Sequence, residues 1–171
     1  GFKMTIHGPN DRYINDAKIA EALAQMLNSV GIEASVETMP KAVYFKRASR
    51  GGPNKSPEFS FMLLGWGAGS GEASSPLKAL LHTYDKSKGL GAANRGRHSD
   101  AEVDKLVKQA LATVDADARG ALLAKATEKA VGENYGVIPM HYQVNTWAAK
   151  AGYKYLPRTD ERTIVTGLSG S

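Results

Sequence analysis

The chain has 171 residues, of which 42% are hydrophobic and 23% charged, and this composition suits one compact domain with a single core. It contains no cysteine, which excludes disulfides, thiolate metal sites and cysteine nucleophiles. No stretch approaches the roughly 20 apolar residues that cross a bilayer, and residues 1–30 lack the pattern of a signal peptide.

The net charge is +5 and the isoelectric point is about 9.4, which raises the question of nucleic-acid binding. The basic cluster is small: Lys46, Arg47, Arg50 and Lys55 surround Gly51-Gly52-Pro53. No aromatic side chain is interleaved with them to stack on bases. This cluster therefore predicts a solvated loop, and nucleic acid is not an expected partner.

The first elements are predicted to be a strand, a helix and a strand joined by short connections. Strands over Lys3–His7 and Ile32–Thr38 flank a helix over Asp16–Val30, which Asn15 or Asp16 caps and Gly31 ends. Such a unit favours a parallel pair with a right-handed crossover. The predicted apolar face of the helix comprises Ile19, Leu23, Met26, Leu27 and Val30.

A second group of elements follows. Pro40 begins a short helix, Phe59–Leu64 is a continuous apolar run typical of a buried strand in the same sheet, and Ser75–Leu81 is predicted to be helical. This strand leads into a bare, bendable loop over Gly65–Glu72, which carries one large aromatic, Trp66. Strand ends of this kind are where α/β proteins bind ligands.

The second half is predicted to be mainly helical. Ser99 and Glu102 form a capping-box pattern, and Asp115 caps a second amphipathic helix after almost no loop. Further strand is predicted over Gly136–Met140 and Tyr142–Ala148. The last segment, 152–171, has no strong periodicity and looks like a tail.

The glycine-rich loop matches no nucleotide or serine-hydrolase motif. Its glycines at 65, 67, 69 and 71 do not satisfy G-x-G-x-x-G, and no G-K-S/T element follows. Ser70 is not in a G-x-S-x-G elbow, because Ala68 and Glu72 occupy the outer positions.

The other reactive side chains form no catalytic or metal-binding pattern. The four histidines lie in different segments without ligand spacing, so no metal site is predicted. Glu58 and Glu72 flank one strand, whose length separates them beyond a direct hydrogen bond. Trp66 has two open interpretations, a core aromatic or a flat face presented to a ligand.

Four segments carry a resemblance when their order and spacing are taken together. They are Phe61–Gly67, the helix start from Asn94 through Asp104, Arg119 with its helix, and Val137–His141. In this order they resemble the C-terminal lobe of the family 5 (peptide/nickel/opine type) solute-binding proteins of bacterial ABC importers. The resemblance covers nearly the whole chain.

The resemblance implies the fold class and the organisation. The expected fold is α/β, one lobe of a type II periplasmic-binding-protein-like fold with a mixed sheet flanked by helices. Residues 1–171 are expected to form a single domain of a longer two-lobed protein whose N-terminal lobe lies outside this sequence. The tail over 152–171 is expected to cross towards that lobe.

The resemblance also implies the function. The whole protein is expected to close around a peptide or peptide-like solute and deliver it to a membrane permease, in the periplasm and without a cofactor. The ligand-binding residues that follow are Asn10, Arg12, Tyr13, Trp66, Gly67, Ala68, Gly69, Ser70 and Glu72. Tyr13, Trp66 and the loop to Glu72 are expected to line one open concave face, with the helices over Asp100–Val131 away from it.

Two of these positions depart from the pattern of peptide binders. Where such proteins carry an aspartate for the peptide ammonium, this chain has Gly69, so Glu72 replaces it or the ligand lacks a free amine. Where dipeptide binders carry an arginine for the ligand carboxylate, the count places Asn10, with Arg12 two residues on.

Two rival functions stay open at this point. One is a small stand-alone α/β enzyme with its site at the Gly65–Glu72 loop, and the other is an interaction module with a basic surface.

Overall fold

The computed structural model describes residues 2–158, 160 and 162–170. The chain forms two compact units, Gly1–Ile138 and Pro139–Ser171. Thr159, Glu161 and Ser171, which belong to the tail predicted over 152–171, lie outside the described residues. The expectation of one domain over 1–171 stays a prediction.

The first unit begins with the predicted strand, helix and strand. Strand β1 spans Lys3–Pro9, helix α1 spans Asp16–Ser29, and strand β2 spans Glu33–Met39. The two strands pair in parallel, with Ile6 opposite Val36, so α1 is the crossover between them. The chain leaves α1 through Gly31, whose φ of 86° is in the region that glycine adopts without steric cost.

The buried face of α1 differs from the predicted one. Ala20 and Ala24 are buried against Ile6, whereas Met26 and Val30 are 65% and 72% exposed. Alanines let the helix axis approach the sheet closely, so the closest line of contact consists of small residues and the long apolar side chains lie beside it. The pattern of large apolar residues predicted the helix correctly but placed its buried face at the wrong residues.

The predicted third strand joins β1 through a single parallel bridge, His7 to Met62. The His7 amide donates to the Phe61 carbonyl at 3.1 Å, and the Leu63 amide donates to the His7 carbonyl at 2.8 Å. The next ladder bond would need an amide hydrogen on Pro9, which proline lacks. The ladder therefore stops there, and the carbonyl of Leu63 accepts a hydrogen bond from the Tyr44 hydroxyl at 2.7 Å.

Helix α2, Lys41–Arg50, follows β2 directly after Pro40, as predicted. Its buried residues, Tyr44 and Ala48, pack with Met39 and Phe59 in one apolar cluster. A short 3₁₀ turn over Pro53–Lys55 then leads towards residues 61–63, the bridge segment, which make the backbone bonds to β1.

The rest of the first unit is helical. Helix α3, Ser74–Pro76, runs into a π-helical turn over Leu77–Leu81; α4 spans Ala101–Ala112, and α5 spans Ala116–Thr127 before a π-helical turn over Glu128–Glu133. The apolar side chains form three clusters where a single core was expected, one under the sheet, one under α2 and one between these helices. The helical cluster contains Leu77, Leu81, Val103, Val107, Ala110, Leu123, Ala126 and Ala130.

The caps of α4 and α5 correct one prediction and confirm another. The Asp100 carboxylate accepts the amides of Glu102 and Val103 at 2.8 and 2.9 Å, so Asp100 and not Ser99 caps α4. The Ser99 hydroxyl instead lies 2.9 Å from that of Thr83. Asp115 caps α5 as predicted, by accepting the Ala118 amide at 2.8 Å.

Strand was expected over Gly136–Met140 and Tyr142–Ala148, and the structure shows none there. The alternation is present, but a strand exists only where a second backbone pairs with it. Within the second unit, β3 (Tyr153–Tyr155) pairs antiparallel with β4 (Leu168–Gly170). The Trp147 indole of the same unit donates to the Thr163 hydroxyl at 2.9 Å.

Among the described residues, no helix has both the length and the apolar character needed to cross a membrane.

Candidate functional site

The candidate site lies where three parallel backbone segments end at one edge of the first unit. β1 ends at Pro9, β2 ends at Met39, and the bridge segment makes its last bond to β1 at Leu63. The Asn10 amide donates to the Met39 carbonyl at 3.0 Å, which joins the first two ends. We call residues 10–13 and 65–72 the strand-end wall. Ligands of open α/β sheets bind at such carboxyl ends, because loops there face out of the sheet.

Asp16 holds the backbone of the first loop of the wall, residues 10–13, from within the fold. Its carboxylate is buried and accepts the backbone amides of Arg12 and Tyr13, each at 2.9 Å. The residue at the N-cap position, Asn15, makes no side-chain cap bond and has a φ of 57°. Asn15 or Asp16 was expected to cap the helix; Asn15 makes no cap bond, and Asp16 is the first helical residue, whose carboxylate accepts one first-turn amide, that of Ala17, besides the two loop amides.

Tyr13 joins the two loops of the strand-end wall. Its hydroxyl donates to the carbonyl of Gly65 at 3.2 Å. A Cβ on residue 65 would lie 2.6 Å from the Tyr13 Cε1 atom, so the ring can take this position only over a glycine. The predicted neighbours Tyr13 and Trp66 are thus brought to adjoining positions.

Arg12 and Trp66 are the large side chains that the strand-end wall exposes. The Arg12 guanidinium carbon lies 4.9 Å from the centre of the Tyr13 ring, a cation–π arrangement. Trp66 is 45% exposed, so this unit does not enclose it. Gly67, Ala68, Gly69 and Ser70 are also exposed. Whether these residues form a concave surface stays a prediction.

Helix α2 begins beside the wall and is bound once to the wall and once to the segment that leads into it. The Asp11 carboxylate accepts the Lys41 amide at 2.6 Å, and the buried Tyr44 reaches the Leu63 carbonyl. Burial raises the pKa of the Tyr44 phenol above its ordinary value, so the hydroxyl stays protonated and acts as the donor. These contacts fix the angle at which Gly65 and Trp66 leave the sheet.

Glu72, at the far end of the second loop, is bound to the helical part of the unit. Its carboxylate accepts a hydrogen bond from the Ser74 hydroxyl at 2.7 Å and one from Arg119 Nε at 2.9 Å. These bonds, Ser74 first and then Arg119, hold the pKa of Glu72 below its ordinary value. The expectation that the α4–α5 pair lies away from the loop is therefore wrong at this end.

Glu58, considered with Glu72 as a possible acid–base pair, has a structural role. Arg47 Nε donates to both Glu58 carboxylate oxygens at 3.0 Å, and Arg47 Nη1 donates to Glu37 at 2.6 Å. The hydrogen bond from Arg47 is the largest cause that lowers the pKa of each glutamate. Arg47, predicted to lie in a basic loop, lies in α2, and its charge is neutralised within the chain.

Three of the histidines have contacts within the fold, and His82 and His98 are linked through the Asn94 side-chain amide, which donates to both of their carbonyls. His7 stacks on Phe59 at 4.1 Å between ring centres, and His98 lies 2.7 Å from the Leu81 carbonyl through its Nδ1 atom. His82 is buried. In the part of the chain that the structure describes, no three histidine, aspartate or glutamate side chains are grouped to hold a metal ion.

Sequence reasoning missed three residues that organise the site. Asp16 was considered only as a helix cap, Asp11 was not considered, and Arg119 was noted only as part of a helix. A carboxylate just before or at a helix start is the one local signal for Asp11 and Asp16. Nothing local connects Arg119 with Glu72, since 47 residues separate them.

Comparisons with known proteins place this geometry in context. No family model matches the sequence, and no curated protein matches it either. Solved structures do match. HbpA2 from Haemophilus parasuis has a TM-score of 0.76 and 20% identity, over 100% of this chain and 32% of that one.

Two further solved proteins show the same fold. Haemophilus influenzae OppA, in complex with RPPGFSPFR, has a TM-score of 0.70 and 26% identity, over 90% of this chain and 27% of that one. The ABC transporter-associated periplasmic binding protein DppA from Helicobacter pylori, in complex with peptide STSA, has a TM-score of 0.65 and 24% identity, over 80% of this chain and 24% of that one.

This chain spans only about a quarter to a third of the length of these proteins. Of the three, DppA is an ABC transporter-associated periplasmic binding protein, and both DppA and OppA hold a peptide. The mixed α/β arrangement of this chain matches part of one lobe of the type II periplasmic-binding-protein fold. The chain therefore shares the fold of a portion of these proteins.

Proposed function

We propose that this chain supplies one wall of a two-lobed periplasmic protein that binds a peptide or peptide-like solute and delivers it to the permease of an ABC importer. The chain is the C-terminal lobe in this proposal, and it binds without catalysing a reaction. The observation that carries the proposal is the half-exposed Trp66 beside Tyr13 and Arg12, at the meeting point of three strand ends. The solved neighbours, which are binding proteins, support it.

Each part of the strand-end wall has a physical use in this role. Trp66 offers a flat apolar face for a side chain of the solute. Among the described residues Arg12 has no carboxylate partner, so its guanidinium is available for a bidentate contact with a solute carboxylate. The exposed loop from Gly67 to Ser70 presents backbone groups that fit an extended peptide.

The wall offers no unpaired carboxylate to the ammonium of a free peptide. Gly69 supplies no charge, and the Glu72 carboxylate already has two hydrogen-bond partners, Ser74 and Arg119. An ammonium bound at Glu72 would share the carboxylate with Arg119. This favours a solute whose amine is blocked, absent or held by another part of the protein.

The stand-alone enzyme hypothesis receives less support. Its two carboxylates, Glu58 and Glu72, are each bound to an arginine, Arg47 and Arg119. A general acid needs a raised pKa to keep its proton near neutral pH, whereas both of these are lowered.

The test uses the longer protein that contains this chain. A thermal-shift screen against peptides, opines, sugars and metal chelates identifies the solute, because a ligand that binds only the folded state raises the unfolding midpoint. Titration calorimetry then compares Trp66→Ala with Tyr84→Ala, a control aromatic of similar exposure, 43%, whose ring contacts Arg97.

Trp66→Ala is expected to weaken binding and Tyr84→Ala to leave it unchanged, with both variants folded. Arg12→Ala is expected to weaken binding only of solutes that carry a carboxylate. Equal affinities for the parent protein and Trp66→Ala would contradict the proposal.

A further inference from the structure

We propose that Asp16 is a positioning residue that sets the geometry of the strand-end wall from inside the fold, by holding Tyr13 on Gly65 and thereby Trp66 in place. The inference rests on the proposed function only in treating the wall as the solute-binding surface. The geometric part concerns the chain itself.

Asp16 is a buried carboxylate whose oxygens are occupied by backbone amides. It is 3% exposed. Oδ2 accepts the amides of Arg12 and Tyr13, and Oδ1 accepts that of Ala17, all three at 2.9 Å. A buried charge with three donors, at the positive end of a helix, is a stable arrangement that resists rearrangement.

These bonds are more than a helix cap, because two of the three run backwards into the loop. A cap satisfies the amides of the first helical turn. Here the carboxylate holds amides that precede the helix by three and four residues. Since the donors are backbone groups, the loop is held in the same path whatever side chains stand at positions 12 and 13.

The loop path then fixes the second loop through Tyr13. The ring lies so close to Gly65 that no side chain fits there, and its hydroxyl donates to the Gly65 carbonyl at 3.2 Å. Trp66 is the next residue in the chain. Asp16 thus acts on Trp66 through Tyr13 and Gly65, without touching it.

The experiment needs no solute, because Trp66 reports on its own surroundings. The chain has two tryptophans, and Trp147→Phe leaves Trp66 as the single emitter. Acrylamide quenching and fluorescence anisotropy are measured on the 171-residue chain carrying Trp147→Phe, alone and combined with Asp16→Ala, Asp16→Asn or Tyr13→Phe.

Asp16→Ala is expected to raise the quenching constant of Trp66 up to roughly two-fold, since the side chain is 45% exposed when held, and to lower its anisotropy. Asp16→Asn keeps one carbonyl oxygen that can accept both loop amides, so it is expected to restore most of the parent value. Tyr13→Phe, which removes only the hydroxyl bond, is expected to raise quenching by less than Asp16→Ala.

The matched control is Asp100→Ala, which removes a carboxylate that also accepts two backbone amides at a helix start, in α4. It is expected to lower the melting temperature and leave Trp66 quenching unchanged. An equal rise in Asp100→Ala, or no rise in a folded Asp16→Ala, overturns the proposal. Should Asp16→Ala not fold, parent-like quenching in Tyr13→Phe overturns it and a rise supports it. The fluorescence experiment uses no solute, so its result does not depend on whether the proposed function is correct. A failure of the positioning role of Asp16 can therefore be told apart from a failure of the proposed function.

Discussion

At the scale of single residues, the site depends on a close approach at Gly65. The Tyr13 ring occupies the space where a side chain on residue 65 would be, whereas a Cβ on Gly67 would meet no heavy atom of the described residues within 4 Å beyond its chain neighbours. The two glycines are therefore a matched pair, one required by packing and one in open space.

Gly65→Ala is expected to displace Tyr13 and to reduce the free energy of unfolding by about 1–3 kcal/mol, the usual cost of overpacking. Gly67→Ala is expected to change it by no more than about 0.5 kcal/mol, as for an ordinary surface substitution. Urea unfolding of the two variants measures both values. Equal costs would show that Tyr13 does not need the glycine.

A second residue-scale prediction concerns pH. Arg47 lowers the folded-state pKa of Glu37 and Glu58, so their pairing stabilises the fold fully above the ordinary glutamate pKa of about 4.3. The stabilisation is lost as pH falls through the lowered folded-state values, because both carboxylates are then protonated. Melting temperatures between pH 7 and pH 3 should therefore fall more steeply in the parent than in Arg47→Gln.

Arg50→Gln is the control for this experiment. Arg50 is an exposed arginine of the same helix, and among the described residues it forms no ion pair. Its variant is expected to keep the parent's pH dependence. A parent-like slope in Arg47→Gln would show that solvent screening removes the contribution of the Arg47 pairs.

Residue types at the site were predictable from the sequence, and their partners were not. Trp66 after a strand and Arg12 in a loop could both be picked out locally, although the sequence left open whether Trp66 is core or exposed. The partnership of Glu72 with Arg119 could not, because it depends on how the helical half packs beside the loop.

At the scale of elements, local signals were sufficient where one helix or strand determines its own limits. The bounds of α1 agree with the prediction within one residue, and α4 and α5 follow each other after Asp115 as expected. The third strand was shorter than predicted because its ladder depends on the partner strand, where Pro9 lacks a donor.

The start of α4 gives an element-scale prediction. Asp100→Ala is expected to cost about 1 kcal/mol of stability, since it removes the oxygen that accepts two amides of the first turn. Ser99→Ala should change stability by less than about 0.5 kcal/mol, because its hydroxyl contacts only Thr83 at the surface. Chemical denaturation of both variants measures the difference, and the reverse order would restore Ser99 as the cap.

At the scale of the whole molecule, the proposed function makes this chain one wall of a larger binding protein, and one wall cannot exclude water from a solute. We expect the chain alone to bind the natural solute at least ~100-fold more weakly than the intact protein, because each lost contact worth about 1.4 kcal/mol is tenfold in affinity. Calorimetric titration of both with the identified solute measures the ratio. Equal affinities would place the site wholly within this chain and revive the stand-alone enzyme.

The fold was predictable at this scale because the order of its segments resembles a known lobe. The alternating segment after Gly136, in contrast, led to the prediction of strand where the structure has none. Alternation reports which side chains share a face, and it carries no information on whether a pairing strand is present. Tyr142 and Val144, in that segment, are 98% and 76% exposed.

The lack of an amide hydrogen on Pro9 has a consequence for how the protein can evolve. Because the ladder ends at Leu63, the exposed residues from Gly67 to Ser70 supply no bonds to the sheet and no side chain to its buried clusters. Under the proposed function, mutation of residues 67–70 can therefore alter what this loop offers to a solute while the scaffold keeps its stability. Tyr13 and Gly65 lack this freedom because their packing is part of the fold, so new ligands are expected to be acquired through residues 67–70.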